Sequence, residues 1–306
     1  MRMQLFHRAA LAAALLLSAF STQAQKVKVK AKTETSASAA APANSLLWEV
    51  SGKNLSQPSY IYGTIHLICP QDLQITEPTK RAFTSAQQVV MELDMDSPTL
   101  AQEMQAGMLM GGGQTLEKLL PPADYARVGE YLQAKAGLPV AQVGMLKPFI
   151  VSSILYPALL GCKPASYETT FVEMAKAQQK EVTGLETVQE QLGFFEKIPY
   201  PAQSKMLADM VLKEAQAQQE FQQMLTLYKA QNVEGLRDMT SKSSFGFREY
   251  ESLLLDERNQ QWIARIEKQA ATKPTFFAVG AAHLGGPKGV LNLLRQQGYQ
   301  VRPVVQ

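Results

Sequence analysis

Near the two ends of the chain, apolar residues gather with β-branched and aromatic neighbours in short runs. This pattern predicts strands at 46–50, 60–67, 89–95, 275–279 and 299–305. A shorter apolar run at 182–185 predicts one more. Between these runs apolar positions recur three and four apart, as in Leu255, Trp262 and Ile266. That spacing predicts helices over 99–110, 122–136, 147–160, 169–179, 201–231 and 248–271. The result is an α/β (α+β) domain over 45–306, with a central mixed β-sheet drawn from both ends of the chain and a large helical insertion at about 98–272. The 201–231 stretch is polar and glutamine-rich, with Met206, Met210, Leu225 and Leu227 in an apolar stripe. It reads as a surface helix packed on one face, or as an arm for a partner.

Ahead of the domain, Arg2, His7 and Arg8 lead into an apolar run at 9–20, and Thr22-Gln23-Ala24 offers small residues for cleavage. Residues 1–24 therefore read as a secretory signal peptide. No other stretch approaches the roughly 20 apolar residues of a membrane helix, so a periplasmic or secreted protein without a stable membrane span after cleavage is expected. Residues 25–44, with Lys26, Lys28, Lys30 and Lys32 before a Ser/Ala/Pro-rich run, read as a disordered linker. The formal charge of +3 falls near +1 once Arg2 and Arg8 are set aside. With no clustered basic face, nucleic acid is not an expected partner. In an oxidising compartment Cys69 and Cys162 form a possible disulfide, which would tie the loop after His66 to a distant helix.

Beyond the signal the chain keeps two histidines, His66 and His283, each ending a strand-like run three residues after a glycine, Gly63 or Gly280. At a glycine frequency of roughly 7%, chance would so place both about once in two hundred chains. A structural role is the ordinary reading of one such histidine; the repetition favours one shared active site, at which strand ends form a rigid platform. In the 89–95 run, alternation puts Glu92 and Asp94 opposite Met91 and Leu93. A carboxylate in so apolar a strand needs a partner or a metal, and Glu92 is preferred over Asp94. Glu186, after the 182–185 run, suits either a site or the first turn of the next helix. Arg258 shares a helical stripe with Leu254, Trp262 and Arg265, and suits either a buried pair with a carboxylate or substrate anion, or a surface salt bridge. The glycines of 285–289 precede a helical pattern at 290–296 and offer free amides for an oxyanion, or merely a turn.

These pieces, Tyr62-Gly63-Thr64-Ile65-His66-Leu67, Glu92-Leu93-Asp94, Gly184-Leu185-Glu186-Thr187, Glu257-Arg258-Asn259 and Val279-Gly280-Ala281-Ala282-His283-Leu284-Gly285-Gly286, occur in an order that resembles the TraB/GumN family. That family is related to the Tiki metalloproteases and more distantly to the erythromycin esterases. The resemblance implies a core sheet with paired G-x-x-H motifs at its centre and a metal-dependent, peptidase-like hydrolase. Carried over by position, it implies catalytic roles for His66, Glu92, His283, Glu186 and Arg258. Ser166-Tyr167-Glu168 departs from the glycine–hydrophobic–aspartate pattern of many members, so Glu168 is not carried over.

Three functions follow. In the first, His66, Glu92 and His283 hold a divalent metal ion (manganese, cobalt, iron or zinc) that activates water against a peptide or other small hydrolysable substrate. The second is a metal-independent esterase-like hydrolase, in which a glutamate-oriented histidine is the general base and the other histidine and Arg258 bind the oxyanion. The third is a non-catalytic protein that binds a peptide or polysaccharide. In both hydrolases His66 and His283 lie side by side, with Glu92 between their strand ends.

Overall fold

The computed structural model describes residues 44–305; the expected signal and nearly all of the expected linker lie outside the described residues. Six strands form one mixed sheet: β1 (Leu47–Ser51), β2 (Ser59–Thr64), β3 (Gln88–Met91), β4 (Glu181–Gly184), β5 (Thr275–Gly280) and β6 (Gln300–Pro303). Their spatial order is β4-β3-β5-β2-β1-β6. Neighbours within β4-β3-β5-β2 run parallel, while β1 is antiparallel to both β2 and β6. Parallel strands are covered on both faces, which explains why Val89 to Met91 and Phe276 to Val279 are unbroken apolar runs, every member almost fully buried. Tyr62, Phe83, Phe171 and Phe276 pack ring against ring beside this sheet.

Two strands that lead into the site stop well before their sequence suggests. The apolar pattern continues to Leu67 and Met95, but the chain leaves the sheet after Thr64 and Met91. Leu93 instead packs on Val188 and Leu192, outside the sheet. Strand alternation thus does not reach Glu92 and Asp94, and both lie in the turn beyond β3. The short apolar run inside the insertion is β4, so the helical region is split by a strand belonging to the central sheet.

The helices follow the three-and-four pattern, with two local departures. The single helix expected over 201–231 is two, Tyr200–Leu212 and Glu214–Lys229, separated at Lys213 (φ −114°, ψ 41°). No glycine or proline marks the break; the second helix begins where Glu214 is held by Tyr131 and Lys135, so tertiary contacts override propensity. The 248–271 pattern contains a π-helical turn at Ser252–Asp256, directly before the helix Glu257–Thr272. Such turns often mark functional sites, and here Arg258 follows it. The helices of the insertion share a second core that includes Leu116, Val128, Leu155 and Leu207. Among the described residues no helix is long and apolar enough to cross a membrane.

Candidate active site

Each parallel strand delivers one candidate residue from its carboxyl end, the edge where open α/β sheets bind ligands. Along the sheet the order is Glu186 after β4, Glu92 after β3, His283 after β5 and His66 after β2. The strand leading to His283 therefore lies between those leading to His66 and Glu92, and Glu92 does not sit between the histidines. The last pairings of β3 and β4 extend past both strands: Leu185 N–H donates to Met91 O (2.7 Å) and Glu186 N–H to Glu92 O (2.9 Å), holding the two carboxylates together.

The glycines of the two G-x-x-H motifs have distinct uses. A Cβ on Gly63 would lie 2.9 Å from Leu284 Cδ1 and 3.0 Å from Ala281 Cα, so β2 packs directly against the turn leading to His283. Gly280 donates its N–H to Glu92 Oε1 at 2.8 Å, and a Cβ there would stand 3.1 Å from the same oxygen. Gly184 is tighter still. An added Cβ would meet Asp94 N at 2.7 Å, Glu186 O at 2.8 Å and Leu93 C at 3.0 Å, all backbone atoms that cannot step aside. Gly184→Ala should therefore cost about 1–3 kcal/mol, the usual penalty of overpacking, read as a lower urea midpoint in equilibrium unfolding.

Arg258 is the centre of the buried cluster. Its Nη2 donates to Glu92 Oε2 at 2.6 Å and to Glu186 Oε1, its Nε to Glu186 Oε2 at 3.3 Å, and its Nη1 to Leu254 O and His283 Nε2, each at 3.2 Å. Every N–H of the guanidinium thus has a protein acceptor, so it serves as a fixed charge and clamp and has no N–H left for a substrate oxygen. Trp262 donates to Glu186 Oε2 (3.1 Å) and lies under the guanidinium, 4.9 Å from ring centroid to Cζ. Gln191 joins the carboxylates, donating to Glu186 Oε1 (2.9 Å) and to Glu92 Oε2 (3.3 Å). Burial by itself would raise the Glu92 carboxyl, but Arg258 and then the two histidines hold it well below the usual carboxylate range.

The two histidines differ electrically. Asn259 Nδ2 faces two carbonyl oxygens, those of His283 and Lys288, which turns its Oδ1 toward His283 Nδ1 at 2.6 Å. His283 Nδ1 therefore carries the proton, and Nε2 is a lone-pair acceptor toward Arg258. Burial first and Arg258 second push this ring down to about 3, so it is neutral at ordinary pH. His66 is open, with 70% of its side-chain surface exposed. Its Nδ1 lies 3.0 Å from Glu168 Oε1, and Thr64 Oγ1 and Ser166 Oγ each donate to that carboxylate at 2.7 Å. Burial of its inner edge acts against protonation, but the Glu168 contact outweighs it and raises the ring from 6.5 to about 9. Glu168, although buried, is drawn down to about 2 by His66, Thr64 and Ser166.

Glu168 is the principal residue that the sequence did not assign. It comes to His66 because the Cys69–Cys162 disulfide and the backbone pair Ile68–Ala165 fasten the two segments together. Ser166 then caps the helix Tyr167–Ala177 and places Glu168 in its first turn. Asp94 does not line the cavity onto which His66 opens; with Glu186, Arg265 and Lys268 it lines a second one, of about 540 Å³.

The expected metal set does not fit this arrangement. Both Glu92 oxygens already accept N–H groups, and His283 Nε2 faces a guanidinium nitrogen. Among the described residues no group of three or more His, Cys, Asp or Glu side chains is disposed to hold a metal ion. A cation bound by His66, Glu92 and His283 would have to displace Arg258.

A mixed sheet that gathers two histidines and two glutamates at the carboxyl ends of parallel strands, clamped by a helix-borne arginine, defines an α/β protein with one concentrated polar site. The chain belongs to the TraB/PrgY/gumN family, whose model matches residues 46–303. It is 25% identical over 324 residues to the protein named metalloprotease TIKI2 of Danio rerio, covering 86% of this chain and 62% of that protein. It is 22% identical to metalloprotease TIKI1 of Danio rerio (84% and 63%) and 22% identical to its counterpart in Homo sapiens (84% and 61%). The chain thus spans less than two thirds of the length of these relatives. No solved structure matches it significantly.

Proposed function

We propose that the protein is a hydrolase of acyl bonds, peptide bonds first, in which His66 activates water. One observation carries this reading: the His66 ring is fixed through Nδ1 by the buried Glu168 while its other edge opens onto the cavity lined also by Glu92, Arg258 and His283. That is the geometry of a carboxylate-oriented general base. In the neutral ring Nε2 takes a proton from water as the oxygen adds to the substrate carbonyl carbon. The negative charge that forms on the carbonyl oxygen lies in the field of Arg258, whose position is held by Glu92, Glu186 and His283. His66 then returns the proton to the leaving nitrogen or oxygen as the acyl bond breaks. His283 accepts from Arg258 and so positions it, a role different from that of oxyanion donor.

The relatives' names speak for a protease and for a metal. The metal reading has one observation on its side: the three carboxylates Glu92, Glu168 and Glu186 are paired directly with two cations, Arg258 and protonated His66, which leaves this cluster net negative. The two readings separate in one experiment. Protein purified without chelator is analysed for manganese, cobalt, iron and zinc, and is assayed on a peptide and ester panel before and after exhaustive chelation, with His66→Ala as the control. Activity that survives chelation and disappears in His66→Ala is the expected result; activity lost on chelation and restored by one metal would replace this mechanism with the metal-dependent one. Export is part of the same proposal, supported by the Cys69–Cys162 disulfide, since such bonds persist in oxidising compartments.

A further inference from the structure

The His66 site forms the floor of a cavity of about 420 Å³, within the range of pockets that enclose small ligands or short peptide segments. Its walls come from the helical insertion: the helices Pro148–Leu160, Tyr200–Leu212, Glu214–Lys229 and Val233–Lys242 each contribute side chains. Their chemistry is mostly apolar, because the hydroxyls of Ser152, Tyr228, Thr240 and Ser243 that also line the space already donate to protein acceptors. Met206, Met210, Met224 and Met239 line the space, together with Phe221 and Phe245. Away from the floor the lining has, among the described residues, one charged residue, Glu220, which accepts from Ser243 Oγ and from Ser244 N–H, both at 3.2 Å. Among the described residues no lysine lines the space, and the one arginine that does, Arg258, has every N–H engaged.

From this we infer that the cavity receives a bulky, uncharged aliphatic or aromatic group of the substrate, with the bond to be cleaved held at His66. The inference rests on the hydrolase reading for the position of that bond but not for the binding itself. Apolar surface gains by leaving water in proportion to its area, whereas a charged or hydroxyl-rich group would meet too few partners and lose its hydration. A hydrolysable polysaccharide is therefore disfavoured relative to a hydrophobic peptide. Methionines are unbranched and polarizable, so a wall built from them adapts to side chains of different shape. The expected selectivity is accordingly for apolar bulk in general, leucine and phenylalanine alike, not for one residue.

The test uses the full mature chain carrying His66→Ala, so that peptides stay intact, and measures binding calorimetrically. The probes are N-acetylated tetrapeptide amides that differ only in two central residues: Leu-Leu, Phe-Phe, Ser-Ser, Lys-Lys or Glu-Glu. Leu-Leu and Phe-Phe peptides should bind at least about tenfold more tightly than the other three, and Met224→Glu, at a half-buried position, should abolish that preference while Met224→Leu keeps it. Far-UV circular dichroism verifies that each variant is folded; should Met224→Glu fail to fold, Met239→Gln takes its place with a smaller loss expected. Equal affinity for all five peptides, or a preference that persists unchanged in the folded polar variant, would overturn the inference. Apolar binding in a protein whose wild type cleaves none of these peptides would leave the inference standing and count against the hydrolase reading alone.

Discussion

Arg258→Ala should lower the folding free energy by about 3–5 kcal/mol, the range found when one partner is removed from a buried ion pair. The cause is the uncompensated charge that stays behind in the interior. Glu92 and Glu186 would remain there with side chains 11% and 2% exposed, and the guanidinium that pairs with both would be gone. Leu254 O and His283 Nε2 would also lose their donor, and Trp262 the cation over its ring. Lysine should not rescue the variant, because a point charge cannot replace a planar fork that reaches two carboxylates, a carbonyl and an imidazole together. Equilibrium urea unfolding of wild type, Arg258→Ala and Arg258→Lys measures this. A triple variant, Arg258→Met with Glu92→Gln and Glu186→Gln, should recover much of the stability, since no unpaired charge is then buried. A loss below about 1 kcal/mol for Arg258→Ala, the range of exposed pairs, would mean that water reaches the cluster and that its charges are not clamped.

The strands were largely readable because parallel strands covered on both faces demand continuous apolar runs, and β3 and β5 carry them. Their ends were not readable. Ile65, Leu67, Leu93 and Met95 look like strand residues in sequence but pack outside the sheet once the chain has turned away. Strand order was hidden for a related reason: nothing in the apolar pattern of β5 says that it runs between β2 and β3, so the relative placement of His66, His283 and Glu92 came out reordered. The five carried-over residues lie at the carboxyl ends of the parallel strands or, for Arg258, on the helix facing them. Glu168 mismatches the family pattern, yet the sequence carries a signal for it. Cys162 stands six residues before Glu168 and Cys69 three after His66, so the proposed disulfide already brought the two segments into reach. Gln191 left no such trace, because its position depends on how the helix Val188–Glu196 docks over the strand ends.

Rate as a function of pH gives the other large effect. If neutral His66 is the base, kcat/KM should rise with pH and level off above about 9, the value to which Glu168 raises the ring. His66→Ala should lower the plateau by about 10²–10⁴-fold, the usual contribution of a general base. Glu168→Gln separates orientation from charge. Removing the carboxylate removes the main influence that raises the ring, and burial and Arg258 remain to lower it, so the rising limb must move to lower pH while the plateau falls. A merely structural Glu168 would lower the plateau without moving the limb. Stability follows the same pair with opposite limits. The contribution from His66, raised above 6.5, is complete below that pH and is lost as pH rises through about 9. The contribution from Glu168, depressed below 4.5, is complete above that pH and is lost as pH falls through about 2. The melting temperatures of wild type and Glu168→Gln should therefore differ most between about 4.5 and 6.5, where both contributions are complete. With His66 as the base, the protein should thus be most active at a pH where the ion pair that orients that base no longer adds to the fold. An activity profile that is flat from pH 6 to 10 in wild type, or a limb in Glu168→Gln that stays where it was, would remove His66 from the role of base.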